Sequence, residues 1–189
     1  MKKYHEGLIC LSACLNGFVS EPLVKNQQET AEKRAAELNE IFGQGNFYLE
    51  LQKHLNIPDQ EVLNSKLIEI SKKLGIPLVA TNDNHYVYQD DAEAQEALLC
   101  IQTQNLLTVK GRRLSMNDSP DFYIKSKEEM TGLFIQTPDA IENTVKIADM
   151  CNVEITLGKW IMPIFEVPDG KTASEYMKKK VKEGLKKRY

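Results

Sequence analysis

The sequence lacks the long apolar runs and the phosphate-binding loops that would place it in several large protein classes. A membrane-spanning helix needs about 18 or more apolar residues in a row, and this chain has no such run. Glycine-rich nucleotide loops and the hydrolase pattern GxSxG are missing as well. The apolar run near the N-terminus is too short for a secretory signal, and polar residues such as His5 and Glu6 lie in the same stretch.

Cysteine is scarce, and its spacing does not suit a structural zinc site. The four cysteines stand at positions 10, 14, 100 and 151 and match neither a zinc ribbon nor a CxxC pair. Cys10, Cys100 and Cys151 lie in apolar surroundings and are predicted to be buried free thiols. Without an export signal, the predicted compartment is the reducing cytoplasm.

Charge is nearly balanced, which argues against a surface that coats nucleic acid over its whole extent. The net charge is −3, so any contact with phosphate groups has to be local. Lys110, Arg112 and Arg113 form one basic cluster, and the Lys-rich C-terminal segment forms another. Each is either a solvated helix face or a contact with nucleic acid or a partner.

The front two thirds of the chain alternates short apolar runs with amphipathic stretches. This order predicts an α/β fold with parallel strands joined by helical crossovers. Asp90 and Glu93 have the spacing of a helix N-cap and its partner. The predicted strands are 7–15, 46–52 and 76–81, and the predicted helices are 29–42, 59–74 and 90–102.

The last third predicts helices that begin at well-marked caps and an extended stretch at 152–171. Ser126 with Glu129 and Thr172 with Glu175 have capping-box spacing, and Pro138 suits a first helical position. Three strands cannot close a barrel. The sequence therefore predicts either a small open α/β unit or part of a larger one.

Asp83 and His85 follow the third predicted strand in the stretch ATNDNHY. Reactive groups collect at the C-terminal ends of parallel strands, and residues two apart in an extended segment point the same way. A carboxylate and an imidazole could then share a zinc, manganese or iron ion. The alternative is a loop in which Asp83 forms an Asx turn and His85 packs on Tyr86.

Three further residues lie near predicted strand ends. Cys14 lies at the end of the first predicted strand and as a thiolate would be a zinc ligand, although a buried thiol is the simpler interpretation. His54 ends the stretch YLELQKH, just past the second predicted strand, and is a weaker candidate. Glu50 lies inside that strand and needs a partner if its face is buried.

Several stretches together resemble the alpha subunits of bacterial replicative DNA polymerase III. They occur in the family's order and span nearly the whole chain. They are EGLICLSACLNGFVSE, NFYLELQKH, LGIPLVATNDNHY, DAEAQEALLCIQT, FYIKSKEEM, AIENTVKIADMCNVEI and FEVPDGKTASEYMKKKVKEGLKKRY.

The resemblance implies a fold, a division of the chain and a metal site. Residues 1–107 would be the C-terminal part of a polymerase-and-histidinol-phosphatase (PHP) domain, a distorted TIM-like β/α barrel. Residues 108–189 would be a helical connector toward the polymerase palm. The family's LSAC cysteine and NDxH pair, here Cys14, Asp83 and His85, would be metal ligands. Their joint retention suggests a parent with an intact site.

The resemblance also implies an activity for which some of the required residues lie outside this chain. The parent would be a DNA-directed DNA polymerase whose PHP site, with zinc or manganese, supports 3′–5′ exonuclease proofreading. Its partners would be DNA, a sliding clamp and a proofreading subunit, with no membrane. The N-terminal half of the domain with its HxH motif, and the magnesium-binding palm carboxylates, are absent, so this chain alone would be inactive.

Two other functions stay open. The domain could be a non-catalytic docking module for a proofreading subunit, or a stand-alone phosphoesterase, although the C-terminal segment argues against the latter. Exposed edges of a partial parallel sheet also favour association of the chain with itself.

Overall fold

A computed structural model of the chain describes residues 2–54, 56–109, 115–116 and 119–189. The described residues form two compact units, Met1–Cys151 and Asn152–Tyr189. The first holds a three-stranded sheet with helices, and the second holds an extended segment and one long helix. The predicted boundary after residue 107 concerns the parent protein and stays a prediction.

The sheet is parallel throughout, as predicted. Strands β1 (Cys10–Leu11), β2 (Phe47–Gln52) and β3 (Leu78–Thr81) lie in the order β1-β2-β3. Cys10 pairs with Phe47, and Gln52 pairs with Thr81. The C-terminal ends of all three strands therefore lie along one edge of the sheet.

Seven α-helices occur in the described part of the chain, and most begin and end where the sequence predicts. Pro58 and Pro138 occupy first-turn positions, and Gly75 ends its helix in the left-handed conformation. The helices are α1 (Ser20–Val24), α2 (Gln28–Phe42), α3 (Pro58–Leu74), α4 (Ala92–Gln102), α5 (Lys127–Leu133), α6 (Pro138–Met150) and α7 (Ala173–Arg188).

The core lies between the sheet and the helices that connect its strands. Strand β2 is buried on both faces, as expected for a central parallel strand. Asn143 of α6 donates to the Leu78 carbonyl of β3 at 2.7 Å. The principal buried side chains are Val19, Leu23, Phe47, Leu49, Leu51, Leu67, Ile70 and Ile76.

The first predicted strand is much shorter than expected. Only Cys10–Leu11 pairs with β2, and both residues are half-buried. The chain leaves the sheet after Ser12, since Ala13 takes a left-handed φ of 62°. The apolar run GLICLSACL thus forms a strand end and a tight turn.

Two smaller predictions were also wrong. Asp90 does not cap α4. A 3₁₀ turn over Gln89–Asp91 precedes that helix, and the Tyr88 amide donates to the Asp91 carboxylate at 3.0 Å. Cys151 is exposed, whereas Cys100 is buried as predicted and Cys10 is only half-buried.

Residues Asn152–Tyr189 combine an extended apolar stretch with α7. Thr172 and Glu175 form the predicted capping box, with the Glu175 amide donating to Thr172 at 3.3 Å. The Phe165 and Tyr176 rings lie 5.8 Å apart. Large apolar side chains of this stretch are exposed, including Trp160 at 90%. No helix among the described residues is long and apolar enough to cross a membrane.

Candidate functional site

Asp83 and His85 lie together just past the end of β3. The His85 Nδ1 atom is 2.6 Å from the Asp83 carbonyl oxygen and 3.9 Å from its carboxylate oxygen Oδ1. A carbonyl oxygen only accepts, so in the neutral form of the ring Nδ1 carries the hydrogen and Nε2 keeps a lone pair. Both side chains are more than one third exposed. The pair thus presents an imidazole nitrogen and a carboxylate, two groups that bind divalent metals.

The backbone at Asp83 has an uncommon conformation. Asp83 has a φ of 50°, a left-handed conformation that is uncommon for residues other than glycine but tolerated by Asp. The His85 amide donates to the Phe122 carbonyl at 2.8 Å. An Asx turn would instead take this amide to the Asp83 carboxylate, and the ring contact of His85 is with Phe122 and not with Tyr86 as the alternative interpretation expected.

Cys14 lies in a second tight turn, past the end of β1. The Gly17 amide donates to the Cys14 carbonyl at 2.8 Å. A Cβ atom at Gly17 would lie 2.2 Å from the Ser12 carbonyl oxygen, so only glycine fits. The Cys14 side chain is half-buried and free.

Glu50, near the end of the central strand, connects the two loops. Its Oε2 accepts from the Ala13 amide at 3.0 Å. Its Oε1 accepts from the Thr81 hydroxyl and, at 3.1 Å, from Gln52 Nε2. The Glu50 amide in turn donates to the Ser12 hydroxyl at 2.8 Å. The sequence indicated that Glu50 would need a partner, and these are the partners.

Asn82 clamps the loop of residues 121–125 onto the end of β3. Its Nδ2 donates to the carbonyls of Asp121 at 3.0 Å and Tyr123 at 2.7 Å. Its Oδ1 accepts from Lys125 Nζ at 2.9 Å. Tyr86 and Tyr123 form an isolated parallel bridge beside this clamp. The loop thereby extends the polar edge at which Asp83 and His85 lie.

Phe122 separates two histidines at this edge. Its ring stacks on His54 at 4.3 Å and meets His85 edge-on at 5.6 Å. Burial lowers the pKa of His54, and the positive charge of Lys125 lowers it further. Both ring nitrogens of His54 are buried without a hydrogen-bond partner among the described residues. The His54 ring is thus packed against Phe122 with a lowered pKa, which favours a structural role over the weak site role suggested by the sequence.

A cavity of about 520 Å³ opens next to this edge. Its walls include His54, Lys125 and Tyr123. The Tyr123 hydroxyl donates to Glu129 at 2.6 Å, which raises the pKa of Tyr123 to about 12. Burial lowers the pKa of Lys125. The cavity has the size of a small-molecule site, with a protonated phenol and a lysine in its wall.

The donor groups are of types that bind metals, but they do not gather into a full ligand set among the described residues. Glu50 is a buried carboxylate whose hydrogen bonds come from neutral groups, and a nearby cation would offset the cost of its burial. Among the described residues, however, no three His, Cys, Asp or Glu side chains gather as a metal site would require. Asp83 and His85 therefore fit as a pair, and Cys14 does not complete a three-ligand group with them.

The basic cluster Lys110, Arg112 and Arg113 lies outside the described residues. The contact that the sequence suggested for it, with nucleic acid or a partner, stays a prediction.

Sequence reasoning missed three residues that shape this edge. Asn82, Phe122 and Lys125 come from two distant parts of the chain, and only the fold brings them together. Asn82 stands directly before Asp83, and its burial could have been suspected from its place at a strand end. Phe122 and Lys125 carried no such signal.

The chain is similar to one domain family and to several polymerase subunits. The profile of the PHP domain family matches residues 1–54. The alpha subunit of DNA polymerase III from Borreliella burgdorferi is 43% identical over 191 residues, which cover 100% of this chain and 16% of that protein. The same subunit from Treponema pallidum is 38% identical and that from Thermus aquaticus 35%, each over 100% of this chain and 16% of the relative.

The chain resembles part of the alpha subunit of bacterial DNA polymerase III. The resemblance stated from the sequence is therefore confirmed, and it extends through Asn152–Tyr189 as well as the PHP region. The α/β class with parallel strands is confirmed as well. Because the chain spans about one sixth of its alpha-subunit relatives, with 16% of the first two covered, the activity of the whole protein is a matter for proposal.

Proposed function

We propose that this chain is part of a replicative DNA-directed DNA polymerase, a nucleotidyltransferase of chromosome replication in the cytoplasm. The observation that carries this proposal is similarity over the full chain to proteins named DNA polymerase III subunit alpha. The magnesium-binding carboxylates of synthesis would lie outside these residues. The partners would be DNA, a sliding clamp and a proofreading subunit.

Primer extension tests this proposal. A protein of the relatives' length that contains this chain should extend a primed DNA template in the presence of magnesium and deoxynucleoside triphosphates. The 189-residue chain alone should not extend it. Failure of the longer protein to incorporate nucleotides, with or without a clamp, would contradict the proposal.

We further propose that the loops at the C-terminal ends of the strands contribute ligands to a metal-dependent 3′–5′ exonuclease or phosphoesterase site. Asp83 and His85 would hold zinc or manganese, with Cys14 and with ligands from outside this chain. Such a metal lowers the pKa of bound water and neutralises phosphate charge. The residues of this chain orient the ligands: the Asp83 carbonyl sets the His85 tautomer, and the Phe122 carbonyl fixes the His85 backbone.

Replacing His85 by Ala tests this site in the long protein. The variant should lose release of nucleotides from DNA 3′ ends by about 100-fold or more while keeping its melting temperature, because His85 is exposed and contributes little to packing. Val87→Ala is the matched control, since Val87 lies in the same loop with a side chain 51% exposed. Unchanged nuclease activity in His85→Ala would refute the assignment.

A non-catalytic docking or structural module is the second candidate. The observation in its favour is that no three-ligand group forms within the described ranges. If it is correct, His85→Ala should lower the melting temperature of the metal-loaded protein, and no nuclease activity should be present to lose. A stand-alone phosphoesterase is less well supported, because similarity to polymerases continues over the whole chain.

A further inference from the structure

Glu50 is buried where the loop that carries Cys14 meets the end of β3. The side chain is 9% exposed, and it lies in the central strand, paired with Val79. Its carboxylate reaches the backbone of one neighbouring loop through Ala13 and the last residue of β3 through Thr81. One buried group therefore bonds to both flanking segments.

The loop on the β1 side needs such a contact. Ala13 adopts a left-handed φ of 62°, which costs about 1–2 kcal/mol for a residue with a Cβ. Its amide donates to Glu50 Oε2, and Ser12 accepts from the Glu50 amide. This reciprocal pair of bonds compensates the unfavourable backbone and fixes the direction in which the chain leaves β1. Cys14 is the next residue.

The β3 side is fixed through the other carboxylate oxygen. Thr81 donates to Glu50 Oε1, and Gln52 donates to the same oxygen at 3.1 Å and to Thr81 at 3.4 Å. Thr81 is followed by Asn82 and then by Asp83, so the position of Thr81 determines where the Asp83–His85 loop begins. Hydrogen bonds to an ionised carboxylate are stronger than neutral ones.

We propose that Glu50 is a positioning residue that braces the Cys14 loop against the end of β3. This proposal rests on the proposed function, in which Cys14, Asp83 and His85 are the candidate metal ligands that the brace would hold in place. In this role Glu50 acts through the hydrogen bonds that it accepts from Ala13, Thr81 and Gln52, and not as a ligand. Outer carboxylates of this kind orient the ligands of metal sites.

Thiol labelling of the protein under native conditions tests the brace without any metal. Glu50→Gln keeps the size of the side chain, but its amide nitrogen cannot accept from the Ala13 amide or the Thr81 hydroxyl. The rate of alkylation at Cys14 should rise about tenfold or more. Loss of a hydrogen bond to a charged group typically shifts the equilibrium between the closed and the open loop by about that factor. Peptide-resolved mass spectrometry measures each cysteine separately.

Two internal references and one control variant separate bracing from general destabilisation. Cys100 is buried and reports global opening, whereas Cys151 is exposed and reports reagent reactivity. Glu61→Gln removes a carboxylate paired with Lys53 at 3.8 Å on the outside of α3 and should change none of the rates. An equal rise at Cys14 and Cys100 in Glu50→Gln, or no rise at Cys14, would overturn the proposal.

The proposed metal site is judged by a different result. In the long protein, Glu50→Gln should weaken zinc or manganese binding by about 10- to 100-fold, as followed by titration with the metal alone. Absence of metal in the wild-type protein would refute the proposed site, whereas the brace is decided by the labelling of Cys14.

Discussion

At the scale of single residues, the edge of the sheet at the C-terminal ends of its strands depends on buried polar side chains that are hydrogen-bonded to neighbouring strands and loops. Glu50, Gln52 and Asn82 are each less than one tenth exposed, and each bonds to a group on a neighbouring strand or loop. Buried polar groups that lose a partner cost more than exposed ones. Substitutions at this edge should therefore have larger effects than substitutions of the exposed residues beside them.

Replacing Asn82 by Ala should destabilise the protein by roughly 1–3 kcal/mol, because two carbonyls and Lys125 lose their partner. The free energy of unfolding from urea titration measures this change. Asn84→Ala is the control: Asn84 is exposed and accepts one bond from Asn82 at 3.0 Å. Equal effects of the two substitutions would contradict the clamp.

His54 should make stability depend on pH. Burial lowers its pKa in the folded state, below the unfolded value of about 6.5. Between these two values the unfolded state binds more protons, so stability is full above the unfolded pKa and is lost as the pH falls below it. His54→Phe keeps the ring that stacks on Phe122 and removes the titration. The fall in melting temperature from about pH 7.5 to about pH 5 should be smaller in this variant, and an unchanged pH dependence would exclude His54 as its source.

At the scale of elements, local signals in the sequence predicted most helices and the strands β2 and β3 well. Helix α3 begins at Pro58 and ends before Gly75, because proline suits a first turn and glycine a left-handed cap. The capping box at Ser126 and Glu129 formed for the same local reason. The β1 run was overestimated, because its end depends on contacts of Ala13 with Glu50, 37 residues away.

Two glycines allow a matched test of these local rules. Gly75 caps α3 at a φ of 66°, whereas Gly132 lies within α5, and a Cβ at either would meet nothing within 4 Å. Gly75→Ala should destabilise by about 1 kcal/mol through backbone strain. Gly132→Ala should stabilise by about 0.5–1 kcal/mol through helix propensity. Chemical denaturation measures both, and the same sign for both changes would contradict the assignment of Gly75 as a left-handed cap.

At the scale of the whole molecule, the order of elements predicted the parallel sheet, but no pattern predicted how the loops meet. Asp83 and His85 were recognisable because they follow an apolar strand two residues apart. The clamp of Asn82 on the loop 121–125 joins segments about forty residues apart, with 39 separating Asn82 and Asp121. No group of three His, Cys, Asp or Glu side chains gathers within the described residues, so the proposed metal site would need ligands beyond Asp83, His85 and Cys14.

Metal analysis tests the central claim most directly. A protein of the relatives' length that contains this chain should retain zinc or manganese after dialysis, as measured by elemental mass spectrometry. The double variant Asp83→Asn with His85→Ala should lose most of that metal while its melting profile without metal matches that of wild type. A wild-type protein without either metal, or a double variant that keeps its full content, would contradict the assignment of Asp83 and His85 as ligands.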